Sequence, residues 1–231
     1  MRGLRVSERA DPATGEPFFP GRFPSGKGRF HVATLAEEIE FIQGLNRSSG
    51  RNVGIYPEIK APAWHREEGH DISRSVLRVL RNYGYDHIAS NAFLQCFDAS
   101  ELIRIRSKLG AQIKLVQLLG GRNTELMSSE GLARISEYAQ GIGPSIWHII
   151  PPDRADAEFK ALASSLVKRA GTRGLLVHPY TFRADALPPF ATGFDELLSI
   201  FYNEIGVDGV FTDHPDRVVR FLARRSAGSV E

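Results

Sequence analysis

Glu58 and Lys60 are the two residues of this sequence whose types and spacing point most directly to chemistry. They close Val53-Gly-Ile-Tyr-Pro-Glu-Ile59, a short apolar run that reads as a β-strand. Residues two apart in a strand point to the same face, so a carboxylate and an ammonium reach one strand end together. A hard cation held by carboxylate oxygen, with a lysine as counter-charge to a phosphate, needs such a pair. The spacing also fits a plain strand-end ion pair, and Lys60 could instead serve as a Schiff-base nucleophile.

The other reactive residue types carry less. His65 and His70 flank Glu67 and Glu68 at a spacing that matches no zinc motif, and they read as solvated loop residues. His148, beside Trp147, fits a mouth-lining or a structural role equally. His178 lies in an apolar run and reads as packed core, and His214 as a residue of the last helix's first turn. Cys96 reads as a buried, inert thiol, and no nucleophile elbow or Ser-His-Asp order is present. Phe97, Trp147 and Tyr180 could wall an apolar part of a substrate, and Arg183 could reach an anion. Rim packing competes with each of these roles.

The elements that must position these residues alternate. Thr34 and Glu37 form a capping box ahead of Leu35, Ile39 and Ile42, with a stop at Gly50. After the strand that ends at Ile59, Ile72, Val76, Val79, Leu80 and Tyr83 mark a helix that ends at Gly84. Strands are expected at 93–97, 113–119, 141–144, 175–180 and 209–212. The helices between them are marked by Leu102, Ile105 and Leu109 behind an Asp98/Glu101 cap, by Leu132, Ile135 and Ala139, by Phe159, Leu162, Leu166 and Ala170, and by Phe194, Leu197, Phe201 and Ile205. A final helix starts at Asp213.

Six strand-then-helix units in a row argue for parallel strands with helices packed outside. A nucleotide-binding open sheet usually has a glycine-rich first turn, and here that turn is Pro-Glu-Ile-Lys-Ala-Pro. The polar residues Glu58, Lys60, Gln95, Gln117, His178, Tyr180, Thr212 and Asp213 fall at C-terminal strand ends instead, where (β/α)₈ barrels build their sites. Residues 1–33 are dense in Pro and Gly yet carry Phe18, Phe19, Phe23 and Phe30, which suits an ordered loop region. The expected organisation is one domain, with residues 1–50 as loops plus one helix and residues 51–231 as a partial barrel.

Composition narrows the class. The 231 residues include 29 Lys+Arg against 27 Asp+Glu, a net charge of +2 with both signs interspersed, which gives no case for a nucleic-acid partner. No run is long and apolar enough to span a membrane. A single cysteine excludes an internal disulfide, and the first residues lack a signal peptide's apolar region. The chain as written is therefore expected in the cytoplasm.

Four segments together resemble the glycerophosphodiester phosphodiesterase family, in its periplasmic bacterial branch. They are Gly54-Ile-Tyr-Pro-Glu-Ile-Lys-Ala-Pro62, Leu94-Gln-Cys-Phe-Asp98, Val177-His-Pro-Tyr-Thr-Phe-Arg183 and Asp208-Gly-Val-Phe-Thr-Asp-His-Pro-Asp216. Pro20-Gly-Arg-Phe-Pro-Ser-Gly-Lys27 and Glu37-Glu-Ile-Glu-Phe-Ile-Gln-Gly-Leu45 resemble that branch's insertion between the second and third barrel strands. The resemblance implies a (β/α)₈ TIM barrel that hydrolyses small glycerophosphodiesters to glycerol 3-phosphate and an alcohol, with a divalent cation, often Ca²⁺. It implies Glu58 as a metal ligand, Lys60 as a phosphate contact and, more loosely, Tyr180 as an aromatic residue at the substrate.

The family's two catalytic histidines and its Glu-x-Asp metal ligands have no counterpart before Gly54. By that register the strands present are the third to eighth, and the barrel is incomplete. The expectations that follow are an incomplete cation site, no catalytic histidine, little activity from this chain alone, and either a longer exported protein or a second chain that completes the barrel. One carboxylate is a poor calcium site, because that ion takes about six to eight oxygens.

Overall fold

The structure, a computed structural model, describes residues 3–20, 30–121, 124–151 and 157–227. Phe23 and the stretch from residue 21 to Lys27 lie outside the described residues, as do the side chains of Phe159 and Leu162. The chain divides into two compact units, Met1–Ile55 and Tyr56–Glu231.

The first unit holds helix α1, Leu35–Ser49. Its start is fixed by a reciprocal capping box: the Glu37 N–H donates to Thr34 Oγ1, while the Thr34 N–H donates to Glu37 Oε2 at 2.8 Å. Gly50 ends it at φ 67°, the left-handed region that favours glycine. The Asn46 amide then clasps Val53 through both its oxygen and its nitrogen. Upstream, isolated antiparallel bridges join Arg5 to His31 and Ala10 to Pro17.

The second unit follows the expected alternation. Its parallel sheet has the order β1 (Glu58–Ile59), β2 (Phe93–Cys96), β3 (Lys114–Leu119), β4 (Gly141–Pro144) and β5 (Leu176–Val177). Between them run α2 (Pro62–Glu67), α3 (Ile72–Asn82), α4 (Ala99–Ser107), α5 (Ser129–Ser136), α6 (Ile146–Ile149) and α7 (Ala157–Gly171). After β5 come α8 (Phe194–Ser199), continued by a π turn over Ile200–Ile205, and α9 (Pro215–Ala227).

Several details differ from the sequence reading, among them a strand expected at 175–180 that is only Leu176–Val177. The first strand is only Glu58–Ile59, because Pro57 has no N–H to donate and β2 joins it there through Gln95 N–H to the Pro57 carbonyl. The segment around His65 is helical, in α2. The expected strand 209–212 consists of an isolated parallel bridge between Phe182 and Thr212 with flanking bonds from Phe211 N–H to Pro179 O and Phe182 N–H to Phe211 O.

Register decides which side chains face where. Glu58, Gln95, Val116, Gly141 and Leu176 lie in one row across the five strands. Ile59, Cys96, Gln117, Ile142 and Val177 form the next row on the opposite face, all buried. The sheet curls: Tyr56, just before β1, packs its ring on Phe93 and also on Phe211 from beyond β5, each 4.8 Å away. Glycines on the inner face of β4 permit this packing, since a Cβ on Gly143 would sit 2.7 Å from Leu118 Cδ2. Among the described residues β1 pairs with β2 alone, and the Thr212 segment runs beside the stretch from β5 to Phe182.

The helices are tied together by a buried carboxylate. Asp98 caps α4 by accepting the Glu101 N–H, but the Glu101 side chain does not return to the cap. It is fully buried and accepts from Ser73 Oγ at 2.5 Å, Arg104 Nη1 at 2.6 Å and Arg66 Nη1, which joins α2, α3 and α4. Removing one partner of a buried ion pair strands the rest. Glu101→Gln is therefore expected to cost about 3 kcal/mol in urea unfolding, and a loss below about 1 kcal/mol would contradict this anchoring role.

Candidate functional site

The C-terminal strand ends open into a cleft of about 390 Å³. Six of the eight polar strand-end residues singled out from the sequence line it: Glu58, Lys60, Gln95, Tyr180, Thr212 and Asp213, beside Phe97, Leu118 and Phe211. Gln117 does not. Its row faces the helices, and it is spent on hydrogen bonds to Phe97 O (3.0 Å), Leu118 O (2.9 Å) and the Tyr138 hydroxyl (2.8 Å). His178 is a packed residue, with Nδ1 3.2 Å from the Tyr56 hydroxyl and its ring edge-on to Phe93. Burial lowers its pKa, which keeps the imidazole neutral.

Glu58 and Lys60 stand as the two-residue spacing requires, with Nζ and Oε2 3.8 Å apart. The Lys60 side chain is 79% exposed against 24% for Glu58, so the ammonium is free to swing toward a ligand at little cost, exposed pairs being worth about 0–1 kcal/mol. Directly after Lys60 the chain turns at Ala61, whose φ of 45° is left-handed, and Pro62 then opens α2. That turn places Lys60 at the lip between this cleft and a second one of about 400 Å³, bordered by Pro62, Cys96 and Asp98.

Tyr180 forms the far wall. Its hydroxyl donates to Leu119 O at 2.9 Å and its ring meets Phe97 edge-on at 5.9 Å. Burial first, and the Glu58 carboxylate second, push its phenol pKa up, so the group is a neutral donor over the working range. Trp147 packs edge-on to Phe190, and His148 Nε2 lies 2.5 Å from Gly121 O. Arg183 is held by Asp185 at 3.2 Å and Asp213 at 3.7 Å.

The family's sequence profile, for the glycerophosphoryl diester phosphodiesterase family, matches residues 5–217. This chain belongs to that family. It is 38% identical to the glycerophosphodiester phosphodiesterase of Haemophilus influenzae over 96% of its own length and 67% of the relative's. It is 32% identical to that of Treponema pallidum over 90% and 64%. A solved Silicibacter pomeroyi DSS-3 structure named for the same family superposes with a TM-score of 0.58 at 21% identity, covering 84% of this chain and 58% of that one. An Agrobacterium tumefaciens structure gives 0.54 at 15% identity, over 87% and 66%. These two share the fold, and the chain spans about two thirds or less of the length of each relative named here.

The family uses a divalent cation, and the cleft suits a hard one. It offers the carboxylates of Glu58 and Asp213 and the amide of Gln95, oxygen donors of the kind calcium and magnesium take. Gln95 Oε1 is buried with no hydrogen-bond partner among the described residues, as an acceptor awaiting a positive partner would be. Among the described residues no group of three or more His, Cys, Asp and Glu is placed to hold a metal. Glu58, Asp213 and Gln95 would at most supply part of a cation's oxygen shell, the rest coming from water and phosphate oxygens as in many magnesium sites. Asp213 and Gln95 are members of this set that sequence reasoning placed at strand ends without assigning them a role. The register that aligns Gln95 with Glu58 is set by pairing between strands distant in sequence, so the sequence alone carries no signal for it.

Cys96 supplies no thiolate. It is buried in β2, and burial raises its pKa from the ordinary 9.0 to about 11. A thiol that holds its proton more tightly folded than unfolded adds stability that is full below pH 9 and is lost as pH rises toward 11. Unfolding free energy is therefore expected to fall from about pH 9 upward. Cys96→Ala should flatten the part of that decline between pH 9 and 10, and an unchanged profile in urea unfolding would contradict the assignment.

Proposed function

We propose that the protein carrying these residues hydrolyses small glycerophosphodiesters to glycerol 3-phosphate and an alcohol with the help of a divalent cation. The observation that carries this reading is the convergence of Glu58, Lys60 and Tyr180 on one strand-end cleft in a chain of this family. Glu58 holds the cation through its carboxylate. Lys60, exposed and mobile, closes on the phosphate as a point charge. Tyr180 and Phe97 wall the glycerol or alcohol side, with the Tyr180 phenol neutral. When bound, the cation polarises a phosphoryl oxygen and neutralises developing charge.

Proton transfer needs a group within hydrogen-bond reach of the scissile oxygens, and no histidine lines this cleft among the described residues. The proposal therefore includes acid–base groups contributed from outside the described cleft. It also includes further parallel strands between β1 and the Thr212 segment, from the same polypeptide or a second one. The edge of β1, which pairs with β2 alone among the described residues, supports that reading. Calcium is one candidate ion, and the two carboxylates and one amide suit magnesium as well.

The test is release of glycerol 3-phosphate from glycerophosphocholine by the native protein from its source and by the 231-residue chain, with Ca²⁺, with Mg²⁺ and with chelator. Cation-dependent release by the native protein, and little by the chain alone, is expected. Lys60→Ala should lower kcat/KM by about 10- to 100-fold, the worth of one hydrogen bond to a charged group, and Glu58→Gln should raise the cation concentration required. Hydrolysis indifferent to both substitutions would overturn the assignment, as would its absence from the native protein.

A further inference from the structure

Glu58, Lys60 and Phe97 line both the Tyr180 cleft and the second cleft of about 400 Å³. A phosphodiester has two arms, and a phosphate held by Lys60 at this common lip can send one arm into each cleft. The two clefts differ in chemistry. The Tyr180 cleft also holds Thr181, Thr212 and Asp213, groups of the kind that hydrogen-bond a diol. Beyond the shared residues, the second cleft is bordered by Ile59, Ala61, Pro62, Ala63 and Cys96, with Asp98 as its one further charged side chain. A polyol placed there would lose bonds to water that apolar walls do not return.

We propose that the second cleft receives the alcohol arm of the substrate, and that Asp98 with Phe97 selects alcohols bearing a quaternary ammonium group. The proposal rests on the reading of Lys60 as the phosphate contact. Asp98 Oδ1 takes up both local bonds, from Ser100 Oγ at 2.6 Å and from the Glu101 N–H at 3.1 Å, which leaves Oδ2 without a hydrogen-bond partner among the described residues. The charge of Glu58 is balanced by Lys60 3.8 Å away, so Asp98 gives this cleft its net negative charge. Phe97, next in sequence, is 48% exposed. A quaternary ammonium has no N–H to donate, and an aromatic ring and a carboxylate in an otherwise apolar hollow are what attracts it.

Glycerophosphocholine and glycerophosphoglycerol differ in the alcohol arm alone. The experiment compares kcat/KM for the two in the native protein from its source and in its Asp98→Asn, Ala63→Lys and Phe97→Leu variants, with circular dichroism to confirm folding. Asparagine caps a helix about as well as aspartate, so Asp98→Asn removes the charge and keeps the cap of α4. Ala63 is an exposed residue of α2, so a lysine there brings a positive charge to the cleft and decides the matter if the Asp98 variant does not fold. The choline-to-glycerol ratio of kcat/KM is expected to fall about tenfold in each charge variant, and about threefold in Phe97→Leu. If both charge variants keep the parent's ratio, or lower kcat/KM for the two diesters equally, the alcohol subsite is overturned while the hydrolase reading stands. Hydrolysis of neither diester by the native protein overturns both.

Discussion

The parallel register of the sheet is the constraint on which the rest of the site depends. Side chains alternate faces with period two, so a slip of one residue would turn Glu58 and Gln95 toward the helices and bring Ile59 and Cys96 inward. The register is held by the helix-facing row. Ile59, Cys96, Ile142 and Val177 are fully buried there, while the inward Tyr56, Phe93 and His178 are only partly buried. Burial of the outer row thus determines the face on which the chemistry stands. Gln117 shows how tightly that face is specified: a polar side chain at a strand end, it is retained on the helix side only with three carbonyl acceptors and a tyrosine hydroxyl around it.

The helices are fixed to that sheet by charge as well as by apolar packing. Glu101 draws α2, α3 and α4 onto one buried point. Arg106 does the same across the next unit, donating to Tyr138 O at 3.0 Å, Ile113 O at 2.9 Å and Gln140 Oε1 at 2.8 Å. The Glu101 anchor lies behind the β1 and β2 ends, where α2 begins directly after Lys60, and the Arg106 anchor at the opposite, N-terminal ends of β3 and β4. Lys60 stands exposed at the lip of this frame, while Glu58 is largely covered by it.

Much of this arrangement is legible in the amino-acid sequence. Helical periodicity and the Thr34 and Asp98 caps locate α1 and α4, and alternation of short apolar runs with amphipathic segments gives the parallel sheet. The Glu-x-Lys spacing gives the pair at the cleft. Other features depend on partners distant in sequence. That Glu101 faces inward rather than back to its cap requires Arg66 and Ser73, 35 and 28 residues away. That Gln95 faces the cleft while Gln117 faces the helices requires the register between strands. The π turn after Ser199 and the reduction of the last strand to a bridge leave no signal in an apolar pattern, which reads alike for either backbone.

The central claim, that the strand-end cleft around Glu58 is where a cation binds, is tested most directly by Mn²⁺-induced broadening of backbone amide signals in the NMR spectrum of the chain. The account predicts that at substoichiometric Mn²⁺ the signals of Glu58, Lys60, Gln95 and Phe97 vanish first while those of α9 persist. Broadening that begins elsewhere, or that spreads evenly over exposed carboxylates, would contradict it.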